Sequence, residues 1–339
     1  DLSEQDEKIL RYYHEPNLEE NFEDNKINII IKSACNGLQD IGFDDFGLVE
    51  SVAEIAAITY RLDRIERGEN KTFDLEGEGN PILTIELKVN DKSAVLRAIE
   101  KLQASETVLV AEPSYLYEVE FQSSSAAESV VSQWALGEYG IQVEGAWIYE
   151  RGDKSVKVGI MDGGIDLSHQ DLQGNVFNGN FTPDAGADLK HGTQVAGIIG
   201  AHQDEQGISG VADVSMYSLD PMPGNFISTL NYAEANDIRI INASLYFTES
   251  NGETPQAYNS AHYAALSNYD GLLVCSAGNE GSNLDLAENK EYPACYDLPN
   301  VVCVGSHSQF HTIGDNSNYG VNTVDIYAPG QFIESTLPN

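Results

Sequence analysis

From Gln133 onward the chain repeats one pattern, a short apolar run followed by a stretch with helical spacing. The runs "VKVGIMD", "VSMYSLD", "IRIINASL", "GLLVCSAGN" and "NVVCVGS" are largely apolar along their length, so each strand must be covered on both faces. Between them "HGTQVAGIIGA", "FISTLNYAEAN" and "PQAYNSAHYAALSNY" are predicted helices. Strands buried on both sides and joined by helices dictate an α/β fold, a doubly wound, mostly parallel sheet with helices on each face. In such sheets functional residues gather beyond the carboxyl ends of the strands. The polar residues of this region sit at those ends.

The chain before Gln133 reads differently. Residues 1–25 are acidic and polar and are expected to form a tail. In residues 26–120, "KINIIIKS" is a predicted strand, "DDFGLVESVAEIAAI" a helix and "PILTIELKV" a strand. "DKSAVLRAIEKLQA", with Val95, Ile99 and Leu102 at helical spacing, is a second helix, and "TVLVAEPSYLYEVEF" returns to strand. That order predicts a small α+β, ferredoxin-like unit of split β-α-β type. Residues 121–132 contain "QSSSAAES" and read as an exposed linker, which leaves 133–339 as the second domain.

Charge narrows the classes of partner. The 54 acidic residues outnumber 18 basic ones, a net charge of −36. Such a surface repels phosphate backbones and anionic lipid, which argues against nucleic-acid and membrane-surface binding. It suits solubility at high salt or the binding of cations, and a solvated acidic coat is the plainest reading. No apolar run approaches membrane-spanning length, and no charged-then-apolar secretory segment opens the chain. Four cysteines, Cys35, Cys275, Cys295 and Cys303, are too few for a disulfide scaffold. Buried free thiols are the simpler reading, with a Cys295–Cys303 bridge as the alternative.

Three residues say little one at a time. Asp162, in "IMDGGIDLSHQDL", has the setting of a turn former. His191 opens "HGTQVAGIIGA", and Asn279 closes "VCSAGNEG" as one more turn residue. Jointly they carry more. An aspartate after a strand, a histidine opening a helix of small residues and a strand ending Ala-Gly-Asn occur here in the order of the subtilisin-like serine proteases. The chain resembles that family from about Gln133 to its last residue, through "VGIMDGGIDLSHQDL", "HGTQVAGIIG", "GISGVA", "INASL", "SAGNEG", "YPACYDLPNVVCVGS" and "SNYGVNTVDIYAPG".

The resemblance implies a serine endopeptidase. His191 would take a proton from a serine hydroxyl and pass it to the leaving amine, and Asp162 would hold the imidazole in the correct tautomer. Asn279 would donate to the oxyanion. Substrate would pair as an extended strand with Ser244–Leu245 and Ser276–Ala277–Gly278, near "PMPGNF" on the opposite wall. Where the family continues with a small residue, this chain reads "SLYF", so Tyr246 and Phe247 are expected to narrow the cleft. The resemblance further implies a structural calcium ion, with Asp171 and Asp204 at matching positions; no cofactor is needed for catalysis. The N-terminal unit resembles the family's inhibitory propeptide, whose C-terminal end lies through the active-site cleft. The implied location is extracellular or at the cell surface, after removal of a signal peptide.

One part of the pattern has no counterpart. No serine here starts a helix behind a glycine turn, the family's setting for the nucleophile, and Ser317 and Ser335 are not substitutes. The expectation is therefore a zymogen whose nucleophile lies beyond Asn339, on a C-terminal segment or fragment that completes the domain. The chain as written would not hydrolyse peptides. The competing reading is a catalytically inactive relative that binds peptides or partners.

Overall fold

A computed structural model describes residues 2–11, 13–32, 39–42, 55–60, 72–74, 80–87, 90–120, 133–204, 206–249 and 258–338. The chain divides into two compact units. One comprises residues 1–117 with 226–231 and 258–269, and the other comprises 118–225, 232–257 and 270–339.

In the first unit, helix α1 (Glu4–Leu10) and the first four residues of strand β1 (Phe22–Ile31) occupy the stretch expected to be a tail, and the rest of β1 is the strand expected at "KINIIIKS". Composition misleads there because α1 is closed by a reciprocal cap. Ser3 Oγ accepts from Asp6 N–H, and Asp6 Oδ2 accepts from Ser3 N–H. Asp6 is fully buried and accepts from Asn80 Nδ2 at 2.6 Å, so one acidic residue serves as a core contact. Strands β2 (Gln39–Gly42) and β4 (Thr72–Asp74) pair as a two-stranded ribbon, and β3 (Ile55–Tyr60) lies between them in sequence. The helix expected over 44–58 therefore ends as strand: β3 pairs with β5 (Ile82–Leu87), where β-branched Ile55, Ile58 and Thr59 suit a pleated surface. The rest of that expected helix lies outside the described residues, as do Cys35 and the linker 121–132.

Helix α2 (Lys92–Gln103) is capped by Asp91 and buries Val95, Ala98, Ile99 and Leu102. It leads into β6 (Val108–Tyr115), giving the sheet order β3-β5-β1-β6. β1 runs antiparallel to both β5 and β6, so β5-α2-β6 is a β-α-β crossover split by β1, as the sequence predicts.

In the second unit, β7 (Tyr117–Glu120) precedes the short helix α3 (Val143–Ala146), and β8 (Lys157–Met161) is the first strand of a seven-stranded sheet. There follow β9 (Val176–Asn178), α4 (Lys190–Gly200), β10 (Ser215–Leu219), α5 (Phe226–Ala235), β11 (Ile240–Ala243), β12 (Tyr246–Glu249), α6 (Ser260–Asn268), β13 (Leu272–Ser276), β14 (Val301–His307) and β15 (Ile326–Pro329). The first half of α5 and all of α6 group with the first unit. The sheet order β15-β14-β13-β11-β8-β10-β9 is parallel throughout. All five predicted strands are present; β9 and β15 are short edge strands with mostly polar or half-exposed residues, which hides them from an apolar pattern. The chain leaves β8 toward β10 on one side and returns to β11 on the other, so the strand order reverses beside β8. The carboxyl end of β8 is thus the topological switch point, where α/β sheets open a crevice. Val158, Ile160, Ala196, Val214 and Met216 pack α4 against β8 and β10 beneath it. Cys275 and Cys303 are buried free thiols and Cys295 is a half-buried one, so the Cys295–Cys303 bridge is not formed.

Candidate active site

Asp162 follows β8 directly and is fully buried. Its Oδ1 accepts from Gly163 N–H at 2.7 Å, and its Oδ2 lies 2.7 Å from His191 Nδ1. A carboxylate accepts only from a protonated ring nitrogen, so the tautomer carries Nδ1–H and its basic lone pair is on Nε2. Burial pushes the Asp162 carboxyl up, while the His191 imidazole and the Gly163 N–H act in the opposite direction. The pair is a base held by a dry carboxylate, with the imidazole side chain still 19% exposed.

Local sequence explains the approach. His191 is the second residue of α4, and Gly192 follows it. A Cβ at Gly192 would lie 2.2 Å from Gly164 O and 3.0 Å from Asp162 Oδ1, so only glycine lets α4 come this close to the β8 turn. Thr193 then closes the contact, its Oγ1 accepting from Asp166 N–H at 2.9 Å.

Asn279 lies past the carboxyl end of β13, two strands from β8, or roughly 10 Å across the sheet. It is exposed, and its N–H donates to Glu280 Oε2 at 2.8 Å. The expected substrate wall is more internally committed than its sequence suggests. Ala277 N–H donates to Val304 O, and Ala277 O accepts from Asn318 Nδ2. Gly278 N–H donates to Ser276 Oγ, and Gly278 O accepts from Asn318 N–H. Both of these residues' backbone groups are thus taken up inside the fold, and no open strand edge remains at Ala277–Gly278. Ser244 stays half-exposed, accepting from Asn242 Nδ2, whereas Leu245 is buried. Phe247 is also fully buried and its N–H donates to Tyr292 O, so it does not narrow a cleft; strand alternation leaves Tyr246 half-exposed.

Ser335 Oγ donates to Gln194 O and Ser317 Oγ to Asn318 O, and both serines are buried. Each hydroxyl thus has a hydrogen-bond partner inside the fold. Asp171 is nearly buried and its Oδ2 accepts from Ile208 N–H at 3.0 Å; burial raises its carboxyl, and the Asp204 charge adds to the rise. Among the described residues no group of three or more His, Cys, Asp or Glu side chains converges on one point.

The sequence reading missed one cluster beside Asn279. Buried Asn318 sends Nδ2 to Ala277 O, Glu280 Oε2 and Glu291 Oε1, and its Oδ1 accepts from Glu280 and Ser282 N–H. Glu291 is 3% exposed, and burial together with the neighbouring Glu280 pushes its carboxyl up to about 9. In so acidic a chain no sequence signal separates buried Glu291 from the solvated glutamates.

Comparison with known proteins agrees with this geometry. The sequence profile of the Subtilase family matches residues 153–338. The major intracellular serine protease of Bacillus subtilis is 36% identical over 203 residues, covering 55% of this chain and 61% of that protein. An intracellular serine protease of Paenibacillus polymyxa is 34% identical over 227 residues, covering 62% of this chain and 67% of that protein. The chain thus spans about two thirds of the length of these relatives. Fervidolysin from Fervidobacterium pennivorans, a keratinolytic enzyme related to subtilisin, superposes with a TM-score of 0.61 at 20% identity, over 96% of this chain and 49% of that one, and so shares the fold.

Proposed function

Because this chain belongs to the subtilase family of serine peptidases, we propose that the protein is a serine endopeptidase in zymogen form. The observation that carries the reading is the 2.7 Å bond from His191 Nδ1 to the buried carboxylate of Asp162 at the switch point of the sheet. His191 Nε2 takes the proton of a serine hydroxyl as it attacks a peptide carbonyl, and returns it to the leaving amine. Asp162 stabilises the imidazolium so formed, and Asn279 donates to the oxyanion. Ser317 and Ser335, whose hydroxyls donate to Asn318 O and Gln194 O, are not that serine in this reading.

Residues 26–120 act as the propeptide in this reading. Its support is the split β-α-β topology and the ribbon in which β7, which closes this span and groups mostly with the second unit, pairs with β12 just past Ser244–Leu245. In this reading Asp171 and Asp204 would help to hold a calcium ion: burial raises the Asp171 carboxyl, the Asp204 charge adds to the rise, and a hard cation would relieve both. Such an ion would brace the loop after α4 and take no part in the chemistry. Among the described residues no helix is long and apolar enough to cross a membrane. An extracellular location is part of the proposal, although the two relatives above are named as intracellular, and cell fractionation decides it.

The test uses the full encoded protein. A fluorophosphonate probe should label it after cleavage within 121–132, and Asp162→Asn and His191→Ala should suppress labelling and casein hydrolysis. A full-length protein that never labels, yet binds peptides, would replace this reading with that of an inactive peptide-binding relative.

A further inference from the structure

The stretch before β1 is no part of the split β-α-β topology, yet it is built into the first unit at both of its ends. Helix α1 lies against α6 and β6, and Ile9 on it is fully buried. Gln5 Nε2 donates to Ser267 Oγ at 2.9 Å. Asn80, just ahead of β5, is wholly buried and joins α1, β1 and α6. Its Nδ2 donates to Asp6 Oδ1 and to Ile31 O. Its N–H donates to Asn268 Oδ1 at 3.2 Å, and its carbonyl accepts from Asn268 Nδ2 at 2.6 Å. Asn268 is the last residue of α6. Further along, Tyr13 Oη donates to Ala111 O on β6, and Tyr115 Oη donates to Glu20 Oε2 and lies 3.3 Å from His14 Nε2. Lys92 Nζ, at the start of α2, donates to Glu20 O at 2.9 Å. Residues 13–20 are thus tied to β6 and α2, while α1 reaches α6.

Within this unit, α6 and the start of α5 come from the far side of the linker 121–132, and the rest comes from the near side. A cut in the linker therefore turns the contact of α1 with α6 into a contact between two separate pieces. We propose that α1 and residues 13–20 form a retention strap, an autoinhibitory contact that keeps the N-terminal unit on α6 after the linker is cut. The inference rests on the propeptide reading of residues 26–120 and adds the segment ahead of them to the inhibitor. Strands β1 and β5 also touch α6, so the unit grips this helix in two places. When two contacts are joined by one chain, loss of either is followed by rebinding before the other lets go, which lengthens residence. Ordering the strap costs conformational entropy that the β-α-β unit does not itself require. Burial of Ile9 and the hydrogen bonds linking Asp6, Asn80 and Asn268 offset that cost, and both are made only when α1 is in place against its neighbours. Helix α6 leads into β13, beyond whose carboxyl end stands Asn279, so the strapped helix belongs to the stretch that carries the candidate active site.

Retention can be timed without any activity of the protein itself. A recognition site for an added endopeptidase is placed within 121–132, the whole chain is held on a surface by a C-terminal tag, and loss of the N-terminal piece is followed after the cut. The parent should release it slowly. Asn268→Ala should speed release on the order of tenfold, and removal of residues 1–10 on the order of 100-fold. Asn268→Ala alters only the piece that stays on the surface, so the departing piece is the same molecule in both runs. Amide exchange across α2 in the uncut chain should be the same in parent and Asn268→Ala. Equal release rates in the parent and both variants, or immediate release from the parent, overturns the proposal. Faster release accompanied by faster exchange across α2 overturns it too, because the unit's own fold would then be what was lost. Slow, strap-dependent release in a protein that never labels with the fluorophosphonate would sink the endopeptidase reading and leave the strap standing. Immediate release in one that labels would do the reverse.

Discussion

Glu291→Gln removes one titrating proton from a buried site while keeping the side chain's size, and its consequence for stability can be worked out in advance. The Glu291 carboxyl ionises near 4.5 when solvated and is held up to about 9 in the fold. Between those values the folded state keeps a proton that the unfolded chain has released. Stability therefore falls as pH rises through that window, by about 1.4 kcal/mol per pH unit for one whole proton. Below 4.5 both states are protonated and the site is neutral in this respect; above 9 the full penalty has been incurred. From pH 5 to pH 8 the accumulated loss is about 2–4 kcal/mol, the lower figure applying if Glu280 and Glu291 share the proton. Glutamine does not titrate, so the variant should gain on the parent by that amount across the same range. Against a typical total of about 5–15 kcal/mol the gain is readily measured. Urea unfolding followed by tryptophan fluorescence at pH 5, 6.5 and 8 gives the difference directly. General repulsion within a chain of net charge −36 affects both proteins alike and cancels. Parallel stability profiles, with a gap that does not widen with pH, would refute the burial argument.

Other outcomes follow from the same geometry. Asp162→Asn should lower kcat/KM of the processed enzyme by about 10⁴, the loss known for the analogous change in another serine protease, because the amide favours the wrong imidazole tautomer; a loss under tenfold would contradict the assigned role. Gly278→Ala should destabilise by at least about 2 kcal/mol, since φ +95° is unfavourable and the new methyl meets Glu291 Oε2 and Asn318 Nδ2; an unchanged melting temperature would be inconsistent with that packing. Ser3→Ala should cost about 1 kcal/mol at α1 and speed amide exchange there, leaving α2 unaffected. Calcium should raise the melting temperature of the parent and not of Asp171→Asn; equal responses would place any ion elsewhere.

The lesson for reading the chain differs from element to element. β8, β10, β11, β13 and β14 were visible because strands covered on both faces need near-continuous apolar sequence. α2 was visible because Val95, Ile99 and Leu102 repeat at helical spacing. β3 was not, because "EIAAITY" mixes alanine with β-branched residues, which fits either state locally, and the partner β5 decides. α1 was hidden by its charge, although Ser3 and Asp6 form a capping box three residues apart.

The site divides along the same line. Asp162, His191 and Asn279 could be named through the family resemblance that their order carries, and the structure brings the first two within hydrogen-bond distance. Glu280, Glu291 and Asn318 could not be named, and neither could the burial of Phe247. Succession along the chain constrains which residues stand at the ends of strands. Burial, and therefore which of many carboxylates is deprived of water, depends on what other segments cover it. For Glu291 that covering comes from Gly278 and Asn318, 13 and 27 residues away in sequence.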